Sequence, residues 1–264
     1  DDGFGGWGTD AKFPLPHTIR FALKRDREKA VGALDAVERS LFDDVDGGFF
    51  RYAAGRDWSD VQHEKLLEAN AALLGTYADA YLATGEESRL DTAADTLDYL
   101  VSTLWTGSAF GGSQEPGDYF ERRGDEHRDA EAPPIDETAF ADGNAVAADA
   151  LARIAAYTDD ETAGEYAERT LAYLVGTLLR DGVVRHYDAP EADECLLADH
   201  ARVTMAFVTA AQVFGPSAGP DEGYCGLAVE VAEAAIDALR TDGGELLDGP
   251  AEGPGLLDRP LRPV

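Results

Sequence analysis

The sequence predicts an all-α protein built from repeated helical hairpins, and three features lead to this prediction. Apolar residues recur at helical spacing in most long segments. A nine-residue string at 96–104 returns at 170–178 with seven identical positions, which indicates two helices in equivalent places of a repeat. Glycine-rich loops at 2–6, 46–50, 109–112, 181–184 and 242–246 separate four intervals, each long enough for one hairpin.

The individual helices follow from this periodicity. In the segment 64–82, Leu67, Leu74 and Tyr81 lie on one face, and Gly85 supplies a C-terminal stop. The other predicted helices lie at 16–24, 26–42, 88–105, 144–157, 161–179, 196–214 and 224–240. Strands are expected only as short arms at the loops, where glycine allows positive φ.

Helical hairpins with long loops at one end are typical of an open solenoid or of a closed α/α toroid. Inner helices of a toroid should be rich in small residues, as in the segments that begin at Asn70 and Asn144. The more highly charged segment 161–178 fits the outer ring. We therefore expect a single domain over 1–264 whose four hairpins form an arc of an α/α toroid.

The charge of the chain excludes several classes of partner. It has 22 basic and 52 acidic residues, a formal net charge of −30, which repels phosphate backbones and anionic lipids. Nucleic acid is therefore not an expected partner. No apolar run reaches the roughly 18 residues of a membrane span, so we expect no membrane association and a cytoplasmic location.

The acidic residues lie between apolar positions rather than in one tail, which is typical of adaptation to high salt. An ordinary acidic protein is the alternative. Because salt screens repulsion between exposed like charges, we expect the midpoint of thermal unfolding to rise from low to molar KCl. A midpoint that stays level or falls would favour the ordinary alternative.

Motifs for metal, phosphate or nucleotide sites are absent from the sequence. His17, His127 and His186 are scattered, and neither cysteine lies at C-x-x-C spacing, so we expect no metal and no cofactor. Cys195 and Cys225 lie in or beside apolar helical patterns. They are expected to be buried free thiols, with a mutual disulfide as the alternative.

Several motifs resemble one known family, in matching order. The segment 46–52 reads D-G-G-F-F-R-Y, Trp58 follows, and 63–71 reads H-E-K-L-L-E-A-N-A. These resemble G-G-G-F-x-R-Y and W-x-x-P-H-F-E-K-M-L-Y-D-N-A of the YyaL-type proteins, relatives of spermatogenesis-associated thioredoxin-domain proteins. Residues 3–14 are similar to that family's G-F-G-x-x-x-K-F-P, and weaker similarities lie at 110–115, 142–145, 197–201 and 257–260.

The resemblance implies a six-hairpin toroid similar to N-acylglucosamine 2-epimerases and to several glycoside hydrolases, with a small carbohydrate as ligand. It also implies a thioredoxin-like domain, which these residues lack and which is therefore an expected partner. Four hairpins cannot close a six-hairpin ring, so we expect the chain to be part of a longer protein. An open arc, or an arc completed by another chain, is the alternative.

Departures from the family's motifs bear on the activity. They lie at Gln62, Ala69 and Gly143, where the family has His, Asp and Trp. The expected function is that of a sugar epimerase or glycoside hydrolase. The departures favour the alternative, a non-catalytic binding or scaffold domain.

Candidate site residues lie near the same end of successive hairpins, where we expect them to face one cavity. Proton transfer and glycoside hydrolysis need carboxylates or imidazoles, and the candidate catalytic residues are Glu64, Asp199 and His200. The candidate ligand-binding residues are Trp7, Arg51, Tyr52, Trp58, Asn70, Asp142 and Asn144. The aromatic rings are suited to stack on a sugar, and a guanidinium to bind a carboxylate or phosphate.

Some candidates have a structural alternative. Trp58 would fill a hairpin interface, and Arg51 would pair with a neighbouring aspartate. Glu64, Asp142 and Asn144 would cap helices. The segment 115–137, rich in proline and charge, is either a lid over the cavity mouth or a solvated linker.

Overall fold

The computed structural model describes residues 1–122, 124–190, 192, 195–220 and 223–250. The chain divides into two compact units, residues 1–137 and 138–264. Within the described residues, no helix is both long and apolar enough to cross a membrane. The single-domain organisation stays a prediction, and the motif at 257–260 lies outside the described residues.

Unit 1 is built on two helical hairpins with short strands in their loops. Its helices are α1 (Pro16–Leu23), α2 (Arg27–Leu41), α3 (Leu67–Thr84), α4 (Ser88–Tyr99) and the single-turn α5 (Asp125–Arg128). Its strands are β1 (Tyr52–Ala53), β2 (Val61–Gln62), β3 (Lys65–Leu66), β4 (Ser113–Gln114) and β5 (Ile135–Asp136). Helix α1 packs against α2 and α3, and α3 packs against α4. Strands β1 and β2 form one antiparallel pair, and β3-β4-β5 form a small antiparallel sheet.

Unit 2 repeats the same construction. Its helices are α6 (Ala141–Thr158), α7 (Glu161–Tyr173), α8 (Leu197–Val213) and α9 (Gly223–Leu239), and its strands are β6 (Leu179–Arg180) and β7 (Val183–Val184). Helix α6 packs against α7 and α8, and α8 packs against α9. The core is a cluster of buried residues from all four helices, with Phe207 and Val231 near complete burial. The predicted all-helical hairpins and short strand arms are therefore present in both units.

With the π-helical turns that end α4 and α7 included, the predicted helix boundaries agree with the structure to within three residues, and the starts of α3 and α6 differ most. At the start of α3 the difference has a clear cause. Lys65 and Leu66 pair with β4 instead of joining the helix. The N–H of Leu67 donates to the carbonyl of Gly112 at 2.9 Å, which holds the preceding backbone extended. Glu64 thus lies ahead of a strand, and the prediction that it caps a helix is wrong.

The duplicated sequence string produces a duplicated irregularity. Helices α4 and α7 both end in one wider π-helical turn, over Leu100–Leu104 and Leu174–Leu178. A π-turn inserts an extra residue into the helical ladder. Its presence in both strings means that their similarity encodes a particular helix ending and not only helix formation.

Two fully buried lysines hold the glycine-rich loops of unit 1. The ammonium group of Lys12 donates to the carboxylate of Asp1 at 2.8 Å and to the carbonyls of Gly5 and Gly8 at 3.1 Å. The ammonium group of Lys65 donates at 2.7 Å to both the Asp43 carboxylate and a loop carbonyl. Each buried ammonium group is thus neutralised by a carboxylate. Its bonds to carbonyl groups also hold the loop in place, where the glycines have no side chains that could pack.

The loop beside Lys65 shows why glycine is required there. Gly48 has φ of +74°, and a Cβ atom at this position would lie 2.5 Å from the ring of Tyr99. Any side chain would therefore be strained by the backbone conformation and would collide with α4. The motif glycine permits the close approach of the loop to the helix.

The segment 115–137 is anchored to unit 1, which corrects the alternative of a solvated linker. Strand β5 pairs with β4, and Phe120 is buried with its ring 5.3 Å from Phe50 and 4.9 Å from the ammonium group of Lys65. The carboxylate of Asp46 lies 3.2 Å from the imidazole of His127. The lid stays a prediction.

Both cysteines are free thiols, as expected, and no disulfide joins them. Cys195 is buried, whereas Cys225 is exposed. The expectation of burial is therefore wrong for Cys225, which lies on the solvent side of the first turn of α9.

Candidate functional site

A cluster of two carboxylates and one imidazole lies in unit 2. Asp142 is in the first turn of α6, Asp199 is in the first turn of α8, and His186 follows β7. Each residue places one potential ligand atom within 4.8 Å of the other two. The carbonyl of His186 accepts the N–H of Ala141 at 2.8 Å, so the loop after β7 is fixed against the start of α6.

His186 and Asp199 form a hydrogen-bonded pair. The Nδ1 atom of His186 lies 3.1 Å and 3.0 Å from the two carboxylate oxygens of Asp199. Asp199 is 1% exposed, whereas the His186 side chain is 26% exposed. Because a carboxylate only accepts, Nδ1 carries the proton and donates it, which leaves the lone pair of a neutral ring on Nε2. Within the described residues, no hydrogen bond occupies Nε2.

The electrostatics of this pair are set by burial. Burial raises the pKa of Asp199 to about 6, the positive charge of His186 opposes the increase, and the negative charge of Asp142 adds to it. The Asp142 carboxylate itself accepts the N–H of Gly143 at 2.7 Å. These three side chains could also hold a divalent cation, since carboxylates and imidazole are suitable ligands, but the expectation of no metal stays untested.

Aromatic rings line the imidazole. The ring centre of Phe140 lies 5.1 Å from that of His186, and Tyr187 lies 5.8 Å from it. Phe140 and Tyr187 also contact each other edge to face at 5.7 Å. His186 is therefore a partly exposed imidazole with an oriented tautomer beside an aromatic wall, an arrangement suited to proton transfer on a bound ligand.

Three polar candidates anchor the backbone instead. Asn70, Asn144 and His200 each occupy the fourth position of a helix, in α3, α6 and α8, and donate, at 2.9 Å, to the carbonyl of the residue that precedes the helix. Asn70 also accepts the N–H of Phe49 at 2.6 Å, and Nε2 of His200 accepts the N–H of Val184 at 3.1 Å. All three are buried.

These contacts give three residues of the predicted site a structural role, and their roles in ligand binding and catalysis stay predictions. Asn70 and Asn144 were expected to bind ligand, and His200 was expected to act in catalysis. The side-chain nitrogen and oxygen of Asn70, and both ring nitrogens of His200, bind the main chain. The side chains of Asn70 and His200 attach glycine-rich loops to the helices, because a buried amide or imidazole needs hydrogen-bond partners.

The remaining candidates lie in unit 1. Trp58 is buried and donates from its indole N–H to the carbonyl of Phe4 at 2.9 Å, so it fills the interface between two loops, as in the structural alternative. Trp7 is half-buried, and its carbonyl accepts from Lys12 at 3.4 Å. Tyr52 stacks on Phe13 with ring centres 4.8 Å apart.

Arg51 and Glu64 form an ion pair on unit 1. The guanidinium Nη1 lies 2.6 Å from the Glu64 carboxylate, and the two side chains are 49% and 26% exposed. The pairing partner is a glutamate rather than the expected aspartate. The structure therefore brings together Arg51 with Glu64 in unit 1 and Asp142 with Asp199 in unit 2, and convergence on one face stays a prediction.

His186 is not among the site residues predicted from the sequence, although the sequence contains a signal for it. The N–H groups that reach Asn70 and His200 belong to Phe49 and Val184. Counting two residues onward from each gives Arg51 and His186, which are followed by Tyr52 and Tyr187. Aligning the glycine-rich loops by repeat would have placed His186 at the position of a named candidate.

The raised pKa of Asp199 leads to a pH prediction. A carboxyl group with a pKa of about 6 in the folded state and 3.8 as its ordinary value binds more protons when folded, so stability falls as pH rises between these values. We expect Asp199→Asn to remove this part of the pH slope of the free energy of unfolding. The exposed Asp188→Asn is the matched control, and equal slopes in all three proteins would contradict the prediction.

Comparison with known proteins supports the predicted family resemblance. Spermatogenesis-associated protein 20 of Mus musculus is 27% identical over 147 residues, which cover 51% of this chain and 17% of that protein. The Homo sapiens protein of the same name is 28% identical over 147 residues, with the same coverage. The match thus spans about one sixth of the length of these relatives. No family model matches the chain.

Solved structures confirm the fold class. Cellobiose 2-epimerase from Spirochaeta thermophila has a TM-score of 0.73 at 18% identity and covers 94% of this chain and 67% of its own. A sugar epimerase from a ruminal bacterium has a TM-score of 0.73 at 12% identity, covering 94% and 69%. A GH76 α-mannanase from Bacteroides thetaiotaomicron has a TM-score of 0.65 at 15% identity. The match covers 91% of this chain and 65% of the mannanase chain.

These similarities confirm the predicted family resemblance and the predicted fold class. The chain is similar in sequence to spermatogenesis-associated protein 20 over half of its length, and it has the α/α-toroid fold of sugar epimerases and glycosidases.

Proposed function

We propose that the chain is a carbohydrate-active toroid domain that moves a proton at a sugar carbon, as an epimerase or isomerase does, with His186 as the proton-transferring group. The observation that carries the proposal is the pair of His186 and the buried Asp199, in which Nδ1 is bound and no described residue forms a hydrogen bond with Nε2. The fold similarity to sugar epimerases supports the substrate class.

The chemistry follows from the tautomer. A neutral imidazole with its proton on Nδ1 accepts a proton at Nε2, and Asp199 stabilises the imidazolium that forms. A hydrogen on the carbon beside a sugar carbonyl is the acidic hydrogen available for such a step. Return of the proton from His186 to the neighbouring carbon gives the isomeric aldose or ketose, whereas the epimer forms when a second proton donor, on the opposite face of the sugar, protonates the same carbon.

The other side chains have distinct roles in this proposal. Asp199 is a positioning residue, because it is 1% exposed and acts through His186. Asp142 is half-buried and is placed to accept a hydrogen bond from a sugar hydroxyl. Arg51 and Glu64 are proposed as ligand-binding groups of unit 1, since both are partly exposed.

Glycoside hydrolysis is the second candidate, favoured by the nearby carboxylates of Asp142 and Asp199 and by the raised pKa of the latter, which suits a proton donor. The burial of Asp199 and its bond to His186 weigh against it, because the donor must reach the glycosidic oxygen. A non-catalytic scaffold, favoured by the departures at Gln62, Ala69 and Gly143, is the third outcome of the test.

The test is an exchange experiment in D₂O. Cellobiose, glucose and mannose are incubated with the protein, and NMR follows deuterium at C2 together with the appearance of an epimer or ketose. Deuterium at C2 supports the proposal, and new reducing ends from cellobiose would support hydrolysis instead. Sugar binding without exchange or cleavage would contradict both and leave the scaffold.

Three further properties are proposed from the sequence. The net charge of −30 supports adaptation to high salt, which the unfolding midpoints in KCl test.

Two free thiols are compatible with a cytoplasmic location. Association with a thioredoxin-like domain is proposed from the family resemblance, and a pull-down with that domain of a relative tests it.

A further inference from the structure

Unit 1 carries a pocket whose lining contains neither His186 nor Asp199. It has a volume of about 450 Å³, within the range of roughly 300–1,000 Å³ for small-molecule sites. Its walls are formed mainly by the segment 13–18 and by the start of α3, and include Phe13, Leu15, Leu66 and Ala69. Arg51 supplies the charged side chain of the lining.

The pocket presents a fixed aromatic surface. Phe13 is 47% exposed although it is a large apolar side chain. Its ring lies nearly parallel to that of Tyr52, at 15° and 4.8 Å between ring centres, so Tyr52 supports one face of it. A supported but exposed aromatic face in a chain with so many charges requires an explanation, and the C–H face of a sugar ring is a suitable partner for it.

Arg51 lines the pocket, and Glu64, which is not part of the lining, is bound to Arg51. Arg51 uses Nη1 to bind Glu64 at 2.6 Å, and a guanidinium has five N–H donors, so donors remain for a ligand. The Glu64 carboxylate has acceptor capacity beyond this one bond. A fixed donor and acceptor side by side match two neighbouring hydroxyl groups of a pyranose.

We propose that the Phe13 pocket binds an uncharged pyranose residue, with its C–H face on Phe13 and its hydroxyls on the Arg51–Glu64 pair. The charge of the ligand follows from two observations. Glu64 neutralises Arg51, and the chain as a whole carries −30, so a uronic acid or a sulfated sugar would be repelled. The proposal takes its ligand class from the proposed function but concerns a binding event that needs no catalysis.

Binding is measured by calorimetry in the His186→Gln variant. This variant is not expected to transfer protons, so the measured heat reports binding alone. The probes are methyl β-glucopyranoside, methyl β-glucuronide and octanoate. We expect the neutral glucoside to bind, the glucuronide to bind at least about tenfold more weakly, and Phe13→Ala to weaken glucoside binding at least about tenfold, since 1.4 kcal/mol corresponds to tenfold.

Phe21→Ala is the matched control. Phe21 is an aromatic residue of α1 that is 63% exposed and does not line the pocket, so its removal should leave glucoside affinity unchanged. Thermal midpoints of both variants verify folding. The proposal is overturned by equal affinities in the Phe13 and Phe21 variants, by preference for the glucuronide or octanoate, or by failure of the glucoside to bind at millimolar concentration.

Failure of this proposal is distinguishable from failure of the proposed function. If the wild-type protein exchanges deuterium and Phe13→Ala leaves glucoside affinity unchanged, the pocket proposal alone is contradicted. If the glucoside binds at Phe13 and the wild-type protein shows no deuterium exchange, the proposed proton transfer alone is contradicted.

Discussion

Replacing His186 with Gln is expected to lower the rate of proton exchange on the sugar by about 10²- to 10⁴-fold, the usual contribution of a general acid or base. Glutamine keeps a side-chain N–H that can donate to Asp199, so the buried carboxylate retains a partner. It has no group that takes up a proton near neutral pH. The loss should therefore appear in catalysis and not in folding.

The measurement is the rate of deuterium incorporation at C2, with the thermal midpoint as the test of folding. Asp188→Asn is the matched control, because this exposed carboxylate lies two residues from His186 and its removal alters the local charge without altering the pair. An unchanged exchange rate in the His186 variant would contradict the assigned role. A rate lost equally in both variants would show that charge, not the imidazole, was responsible.

Replacing Lys65 with Met is expected to cost about 3–5 kcal/mol in the free energy of unfolding, because it leaves a buried carboxylate without its partner. Lys65 is fully buried, its ammonium group lies 2.7 Å from the carboxylate of Asp43, and three aromatic rings lie within 4.5–5.1 Å of it. The substitution preserves most of the side-chain volume. The loss should therefore come from Asp43 and from the loop carbonyl that Lys65 binds.

Denaturant unfolding measures this change. The control is Lys29→Met, since the pair of Lys29 and Asp26 is mostly exposed and such pairs contribute at most about 1 kcal/mol. Adding Asp43→Asn to Lys65→Met should restore part of the stability, because the uncompensated charge is removed. A loss below about 1 kcal/mol for Lys65→Met would contradict the structural role.

The helical part of the fold could be predicted from the sequence because helix formation depends on local spacing of apolar residues. Leu67 and Leu74 of α3 are buried, as their spacing predicts, and Asp26 caps α2 by accepting from Lys29 at 3.2 Å. The start of α3 could not be predicted. Whether Lys65 continues a helix or pairs as a strand depends on β4, almost fifty residues further along the chain.

The candidate site was predictable only in part. Asp199 and Asp142 attract notice as acids near the start of apolar helices, and Asn70 and His200 as polar residues within them. Their roles differ because of distant partners: Asn70 and His200 meet the N–H groups of loops, whereas Asp199 meets a partly exposed imidazole. The sequence does not distinguish a polar side chain that binds the main chain from one that is left for a ligand.

The sequence by itself determined the repeat, its helices and its glycine-rich loops, because each depends on residues close together along the chain. The duplicated string at 96–104 and 170–178 even specifies matching π-turns. Only the tertiary structure decided that His186 pairs with Asp199 and that Phe13 stacks on Tyr52. Hydrogen bonds and ring contacts act over a few ångströms, so residues far apart in sequence gain a shared role only when the folded loops bring them together.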